Sequence, residues 1–330
     1  MALMADSGID FGYVLAGQFL PDDDPQVRVQ EALEQVRCAR DAGFHSILVT
    51  QHFLADFQFL QPVPFLSRLL SEAGDMRIGT AVLQAGFYPP VLLAEELATL
   101  DVISGGRLIF GAGTGYRDTE FRAFGLPPQQ RMRRFDEVID VVYRLWSGES
   151  VTYTGEHVQL EDARLRLLPP QRDAVPLWVG ATGPKGIRHA AEVGKEWVVS
   201  PELTLDAIAE RQEVYRQALP RSVDPADKIY PIMREAYVAA DREAAMKVAG
   251  SALRTKYDAY IRWGHAVGDF EVLPEDAFIL GGVEHCVEQI QRYRERLGTR
   301  FIGMRMQWPG LDQREVVDSI AAFSHVIERC

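Results

Sequence analysis

Short apolar runs alternate with amphipathic helical runs over almost the whole chain, and that alternation leaves few architectures open. Each apolar run is too short and too uniform for an amphipathic helix. It reads as a strand buried on both faces, as in a parallel sheet covered by helices. Eight such runs stand at Ile9 to Leu15, Ser46 to Thr50, Arg77 to Leu83, Leu108 to Phe110, Pro176 to Val179, Trp197 to Ser200, Ile229 to Ala239 and Arg300 to Met306. Helical patterns follow them. Val29, Leu33 and Val36 share one face of a helix over Val27 to Ala42 that Gly43 stops, Pro89 and Pro90 open a helix through Val102, and Phe135, Val138, Ile139, Val142 and Leu145 mark another over Arg131 to Trp146. Right-handed crossovers close eight such units into a (β/α)8 TIM barrel. An open doubly wound sheet is the competing arrangement, and eight strands of similar character with no break between halves favour closure.

Two stretches break the rhythm. Residues 149–170 alternate like a small β-ribbon and end in Pro169-Pro170, which predicts an insertion. The stretch from about 262 to 282 is irregular, and about 256 to 282 reads either as a lid over the barrel mouth or as a dimer contact. With no repeat, low-complexity tract or linker, residues 1–330 are expected to form a single domain, and a 47% hydrophobic chain of this length can bury a large core. The net charge of −12 argues against a nucleic-acid backbone or an anionic membrane surface as partner. No apolar run approaches the roughly 20 residues of a spanning helix. The opening MALMADSGID lacks the basic start and apolar stretch of a signal peptide, and Cys38, Cys286 and Cys330 have neither metal spacing nor an even count. The expectation is a cytoplasmic protein with no disulfide framework and no metal.

In such a barrel, ligands sit where the strands end at their carboxyl termini. His52 follows the second strand; it is placed either to hold a proton near neutral pH or to be hydrogen-bonded within the barrel mouth. The fourth strand ends in Gly111, Gly113 and Gly115, which permit close approach of backbone N–H groups to a flat or anionic ligand. After the fifth strand, Gly180-Ala181-Thr182-Gly183-Pro184-Lys185-Gly186 is equally a phosphate loop at a helix N-terminus and an ordinary capped helix start. Arg234, in an otherwise apolar strand, needs an anion: either a substrate group or a structural acid near Glu235. Tyr116, Arg117, Tyr257, Trp263 and Trp308 are able to wall an aromatic pocket or simply to fill the core. No GxSxG elbow, HExxH helix, Walker loop or dinucleotide fingerprint is present.

The segment IGTAVLQAGFYPPVLLAEELATLDVISGGRLIFGAGTGYRDTEFRAFG strongly resembles the bacterial luciferase-like monooxygenase family. The helix RFDEVIDVVYRLW and the C-terminal GGVEHCVEQIQRYRERLG fit it too, so the resemblance covers nearly the whole chain. It implies a usually dimeric TIM-type barrel with an insertion, using reduced FMN or the deazaflavin coenzyme F-420. FMN members receive reduced flavin from a separate reductase, add O2 and oxygenate a substrate through the flavin C4a-peroxide. By the same resemblance, Thr80-Ala81 matches a non-prolyl cis peptide beneath the ring. Gly113, Thr114, Gly115 and Arg117 match flavin-lining positions, Gly180 to Gly186 the phosphate loop, and His52 a flavin-site histidine. Gln51 stands where luciferase has a catalytic histidine and many deazaflavin enzymes an aspartate, which argues against light emission from an aldehyde. Thr114 replaces a phosphate-binding arginine, leaving that task to Lys185 or Arg117. The resulting expectation is an FMN-dependent monooxygenase with His52 and Gln51 at the chemistry. Its mostly apolar substrate would be held by Phe53, Phe57, Tyr116, Arg234 and Trp308. A deazaflavin-dependent hydride-transfer enzyme and a non-catalytic flavin-binding protein are the alternatives.

Overall fold

The computed structural model describes residues 8–193, 195–264 and 277–330. The eight apolar runs form the strands of one parallel sheet: β1 (Asp10–Leu15), β2 (Ser46–Val49), β3 (Arg77–Thr80), β4 (Leu108–Gly113), β5 (Leu177–Gly180), β6 (Glu196–Val198), β7 (Ile232–Val238) and β8 (Phe301–Arg305). Their spatial order is β6-β5-β4-β3-β2-β1-β8-β7. The sheet curls until its ends meet. Val199, just past β6, bridges in parallel to Ile232 of β7, with Val199 N–H donating to Pro231 O and Met233 N–H to Val199 O, both at 3.0 Å. The fold is therefore the (β/α)8 barrel, shut along this seam by one bridge.

Helices α1 (Pro25–Asp41), α2 (Pro62–Leu69), α3 (Pro90–Ser104), α4 (Asp118–Ala123), α5 (Arg131–Ser147), α6 (Pro184–Glu192), α7 (Leu205–Ala218), α8 (Arg242–Arg262), α9 (Val283–Leu297) and α10 (Gln313–Ile327) surround the sheet. Sequence chemistry sets their ends. The Asp24 and Asp312 carboxylates accept N–H groups at the starts of α1 and α10, and Gly105 (φ 70°) and Gly298 (φ 66°) end α3 and α9 in the left-handed conformation. Between α5 and β5 the antiparallel strands Val151–Thr154 and Gln159–Ala163 form a two-stranded ribbon.

A ninth strand, Phe278–Gly281, pairs in parallel with Glu235 to Val238, extending the sheet beyond β7. The sequence reading treated about 262–282 as irregular, and the strand is a correction to it. Four apolar residues without flanking periodicity are too weak a signal to separate from a loop. Of the proposed lid, the first part is the end of α8 and the last part this strand; residues 265–276 lie outside the described residues.

Every barrel strand except β3 sends one apolar side chain into the lumen: Val14, Leu48, Ile109, Trp178, Val198, Met233 and Phe301. Strand β3 contributes Gly79 instead, where a side chain would strike Ile109. Trp178 packs edge-on against Phe301 at 4.7 Å. Burying each such side chain is worth about 1.5–3 kcal/mol, and the filled lumen confines ligands to the strand C-termini. Two or four residues further along the same strands, on the same face, come Thr50, Ala81, Gly113, Gly180, Ser200 and Arg305, and all six line a cavity.

Candidate active site

The cavity at the strand C-termini encloses about 1040 Å³. That exceeds the roughly 300–1,000 Å³ of ordinary small-molecule sites, so it has room for a large cofactor together with a substrate. One wall is flat and apolar. Val82 packs onto the backbones of β4 and β5: a Cβ on Gly113 would lie 2.8 Å from Val82 Cγ2, and one on Gly180 3.1 Å from it. Gly115 turns the chain with φ 75°, and a Cβ there would meet the Phe87 ring at 3.0 Å. The non-prolyl cis peptide is Ala81–Val82, one bond later than the resemblance implied. Thr80 is turned away from the cavity, its hydroxyl donating to Gly111 O at 2.6 Å, because it has the opposite strand parity to Ala81.

Three residues separate Gly180 from α6, which begins at the cavity. Its N-cap is Gly183, Pro184 occupies the first turn, and no side chain accepts the first N–H groups. Thr182, Lys185 and Gly186 line the cavity beside them. Three cations the sequence reading missed join this wall: Arg131 at the start of α5, Arg188 on α6 and Arg211 on α7. Arg131 and Arg211 come from helices distant in sequence, so no local motif announces them; Arg188 lies on α6 itself, one turn after Lys185. Helix N–H groups without a side-chain cap, a helix dipole and nearby cations are the features from which anion sites are built. Arg117 does not contribute. Its guanidinium donates to Phe53 O (2.7 Å) and Leu54 O (3.2 Å) and lies 4.4 Å from the centre of the Trp263 ring, fastening the loop after β2.

His52 lines the same cavity. Its Nδ1 lies 3.3 Å from Oε1 of Glu120, a wholly buried carboxylate on α4 that also accepts from Phe53 N–H (2.9 Å) and Arg117 Nη1 (3.3 Å). Burial pushes the Glu120 carboxyl up, but His52, the Phe53 amide and Arg117 outweigh it and hold the pKa below the ordinary value. Burial pushes His52 down, and the opposing pull of Glu120 does not restore it. The site thus pairs a neutral imidazole with an ionised carboxylate. Gln84 Nε2 lies equally close to Nδ1, at 3.3 Å, and has Gln51 O (3.2 Å) and Glu120 Oε1 (3.3 Å) as its own acceptors, whereas a carboxylate only accepts; Glu120 therefore favours the Nδ1–H tautomer, which leaves Nε2 with a lone pair. Glu120 was missed by the sequence reading, although it lies in the GYRDTEFRAFG end of the segment that carries the family resemblance.

Gln51 lines the cavity but is tied at both ends. Its Nε2 donates to Tyr88 OH (2.6 Å) and Gln61 Oε1 (2.9 Å), and its Oε1 accepts from Gln84 N–H (2.8 Å). An amide neither takes nor gives a proton at neutral pH, so Gln51 orders the loop that carries His52.

Of the residues proposed to hold substrate, Tyr116 is in the cavity wall, with its ring 5.7 Å from that of His52. Phe53 and Phe57 instead line a side pocket of about 320 Å³ that meets the cavity at His52. Arg234 does not reach the cavity: it is fully buried, donates from Nη1 to the carbonyls of Met233, Pro201 and Ser200, and lies 4.6 Å from the Tyr293 ring. Trp308 is likewise enclosed and donates to Glu235 Oε2 at 2.5 Å. The cation that does line the cavity from this side is Arg305, beside Tyr257, Tyr260 and Glu202. Among the described residues no cluster of His, Cys, Asp and Glu forms a metal site, and no helix is long and apolar enough to cross a membrane.

The sequence profile of the luciferase-like monooxygenases matches residues 9–300, and the chain belongs to that family. Limonene 1,2-monooxygenase of Rhodococcus erythropolis is 27% identical over 91% of this chain and 81% of its own. The oxygenase component of the flavin-dependent trigonelline monooxygenase of Acinetobacter baylyi is 28% identical over 71% and 65%. The F420-dependent glucose-6-phosphate dehydrogenase of Microbacterium testaceum is 32% identical over 58% of each chain. The solved structure of monooxygenase RslO1 from Streptomyces bottropensis superposes with a TM-score of 0.87 at 24% identity, covering 97% of this chain and 99% of that one. The family's members are oxidoreductases, and these relatives include both flavin-dependent oxygenases and F420-dependent enzymes.

Proposed function

We propose that the protein is a monooxygenase that takes reduced FMN from a separate reductase and places one atom of O2 on a small, mostly apolar substrate. The observation that carries this reading is one cavity holding both a flat glycine-and-valine wall and a cation-flanked helix N-terminus. The residues fit the cofactor: Ala81, Val82, Gly113 and Gly180 offer a surface for a planar ring, and the first N–H groups of α6 with Lys185 offer a seat for a phosphate. When bound, reduced flavin supplies the electrons that activate O2. The chain's part is to exclude water with Tyr116, Tyr257 and Tyr260 and to hold a hydrogen bond or a proton at His52 Nε2. The limonene and trigonelline relatives support the oxygenase chemistry and the separate reductase. A second copy of the chain is the partner the family resemblance implies.

The second reading, hydride transfer with coenzyme F-420, is favoured by the glucose-6-phosphate dehydrogenase relative and by the GATGPKG loop. Anaerobic titration with reduced FMN and, separately, reduced F-420 distinguishes the two. Tight binding of reduced FMN, followed by ¹⁸O transfer from ¹⁸O₂ to a terpene or ketone, is the expected result. Binding of the deazaflavin alone, with no oxygen uptake, would replace the proposal. Flavin binding without any turnover would leave a flavin-storing protein.

A further inference from the structure

The side pocket of about 320 Å³ has no part in the proposed function, yet it abuts the residue placed to hold a proton. Among the described residues, His52 is the one that lines both the cavity and this pocket. Four phenylalanines, Phe53, Phe57, Phe59 and Phe124, stand in the pocket wall, and no lysine, arginine, aspartate or glutamate among the described residues joins them. The one amide there is engaged within the protein: Gln61 Oε1 accepts from Gln51 Nε2 (2.9 Å), and its Nε2 donates to His52 O (3.2 Å). The rim is unfavourable on its own. Leu54 is 72% exposed and sits at φ 48°, a left-handed conformation that a leucine Cβ disfavours. Arg117 holds the loop in that shape, donating to the carbonyls of Phe53 and Leu54. Phe124, 42% exposed, forms another part of the wall, with its ring 4.8 Å from that of Phe53. Strained residues persist where their surroundings over-determine them, and they gather at ligand sites.

We propose that this pocket is a second binding site, which takes an uncharged hydrocarbon ring of the substrate from solvent and holds it against His52 while FMN occupies the cavity. Chemistry separates the two openings. The exposed part of the cavity wall carries Arg131, Lys185 and Arg188, which suit an anion and offer a hydrocarbon nothing. The side pocket offers apolar surface at both wall and rim, and its phenylalanines can pack edge-on against a ring, as Phe53 and Phe124 do against each other. A charged group entering it would lose water without gaining a partner. Size agrees, since 320 Å³ lies at the small end of the roughly 300–1,000 Å³ of ligand sites and admits a ring with its substituents. The inference rests on the monooxygenase reading only in calling the hydrocarbon a substrate.

The test labels alanine methyl groups with ¹³C, which places reporters at Ala55 and Ala123 in the pocket wall and at Ala81 and Ala181 in the cavity wall. The ligands are p-xylene and terephthalate, the latter a ring with a carboxylate at each end, titrated with and without FMN. In the wild type, p-xylene is expected to shift the Ala55 and Ala123 methyls saturably, with the same affinity whether or not Ala81 and Ala181 report bound FMN. Terephthalate should shift neither pocket methyl, since one carboxylate would have to enter. Ala123→Trp, which fills the pocket from α4, should abolish the Ala55 shift with FMN affinity unchanged. Leu54→Asn suits the left-handed conformation, so it should raise the thermal midpoint while weakening p-xylene about fivefold, the worth of part of a leucine wall. The proposal is overturned by a wild type with no saturable shift, by displacement of p-xylene by FMN, or by terephthalate binding as tightly. Binding that survives Ala123→Trp, or that Leu54→Asn leaves unchanged, would overturn it too. The wild-type titrations decide it even if a variant fails to fold. Loss of the monooxygenase reading would appear separately, as no flavin binding or no oxygen transfer with p-xylene still held in the side pocket.

Discussion

Glu120 makes His52 what it is: an imidazole kept neutral by burial but turned by a carboxylate that only accepts. Glu120→Gln removes the charge that pulls the imidazole pKa upward against burial, so the His52 titration seen by NMR should move to lower pH. Turnover should fall about tenfold, the scale of a misoriented acid–base group, with FMN affinity unchanged. Lys256 makes a second titration prediction. Burial, with Arg305 adding to it, pushes its pKa down to about 7 from an ordinary 10.5. Between those values the unfolded chain binds a proton that the folded one does not, so stability is highest above the upper value and is lost as pH falls toward the lower. The guanidinium chloride midpoint should therefore drop between about pH 9 and pH 7 in the wild type, and Lys256→Met should flatten that slope. Residue types in the sequence pointed to Arg234 and Trp308, but type does not give direction. Successive strand residues face opposite ways, so Arg234 looks outward to Tyr293 while Met233 and Glu235 look inward. Counting by twos from Phe301 would have found Arg305, had the lumen parity been known.

At the scale of elements, the proposed function asks α6 to hold an anion and the ends of β4 and β5 to hold a flat ring. The expected consequence is separable. Lys185→Ala should weaken reduced FMN binding about five- to tenfold and leave riboflavin, which lacks the phosphate, unchanged; fluorescence titration of both ligands reads it. Equal losses for the two would place the phosphate elsewhere. The GATGPKG turn was legible because small residues, a proline and a lysine at a strand-to-helix junction carry a local physical meaning. Arg131 and Arg211 were not, since only packing brings α5 and α7 to the cavity that α6 lines. The eight barrel strands were legible for the same local reason, each being a short, mostly apolar run. Phe278–Gly281 was not, because its identity as a strand depends on the free upper edge of β7.

For the whole molecule, alternation in the sequence constrains topology strongly, since crossovers of one hand leave little besides closure. Where the barrel closes is a different matter, and no pattern in the chain marks it. The ring has two backbone hydrogen bonds at the Val199–Ile232 bridge, supplemented by Arg234 Nη1 donating to Ser200 O and Pro201 O, and Pro231 has no N–H to add another. Like a hoop with one clasp, it should part there first when the protein breathes. Deuterium should enter the Val199 and Met233 amides sooner than that of Phe110, which is held mid-sheet by Pro176 O. Val199 and Met233 also line the cavity, so whatever fills it leans on both sides of the clasp. Occupancy by reduced FMN should slow exchange at those two amides more than at any other pair in the strands, making the cofactor a rivet in the barrel it occupies.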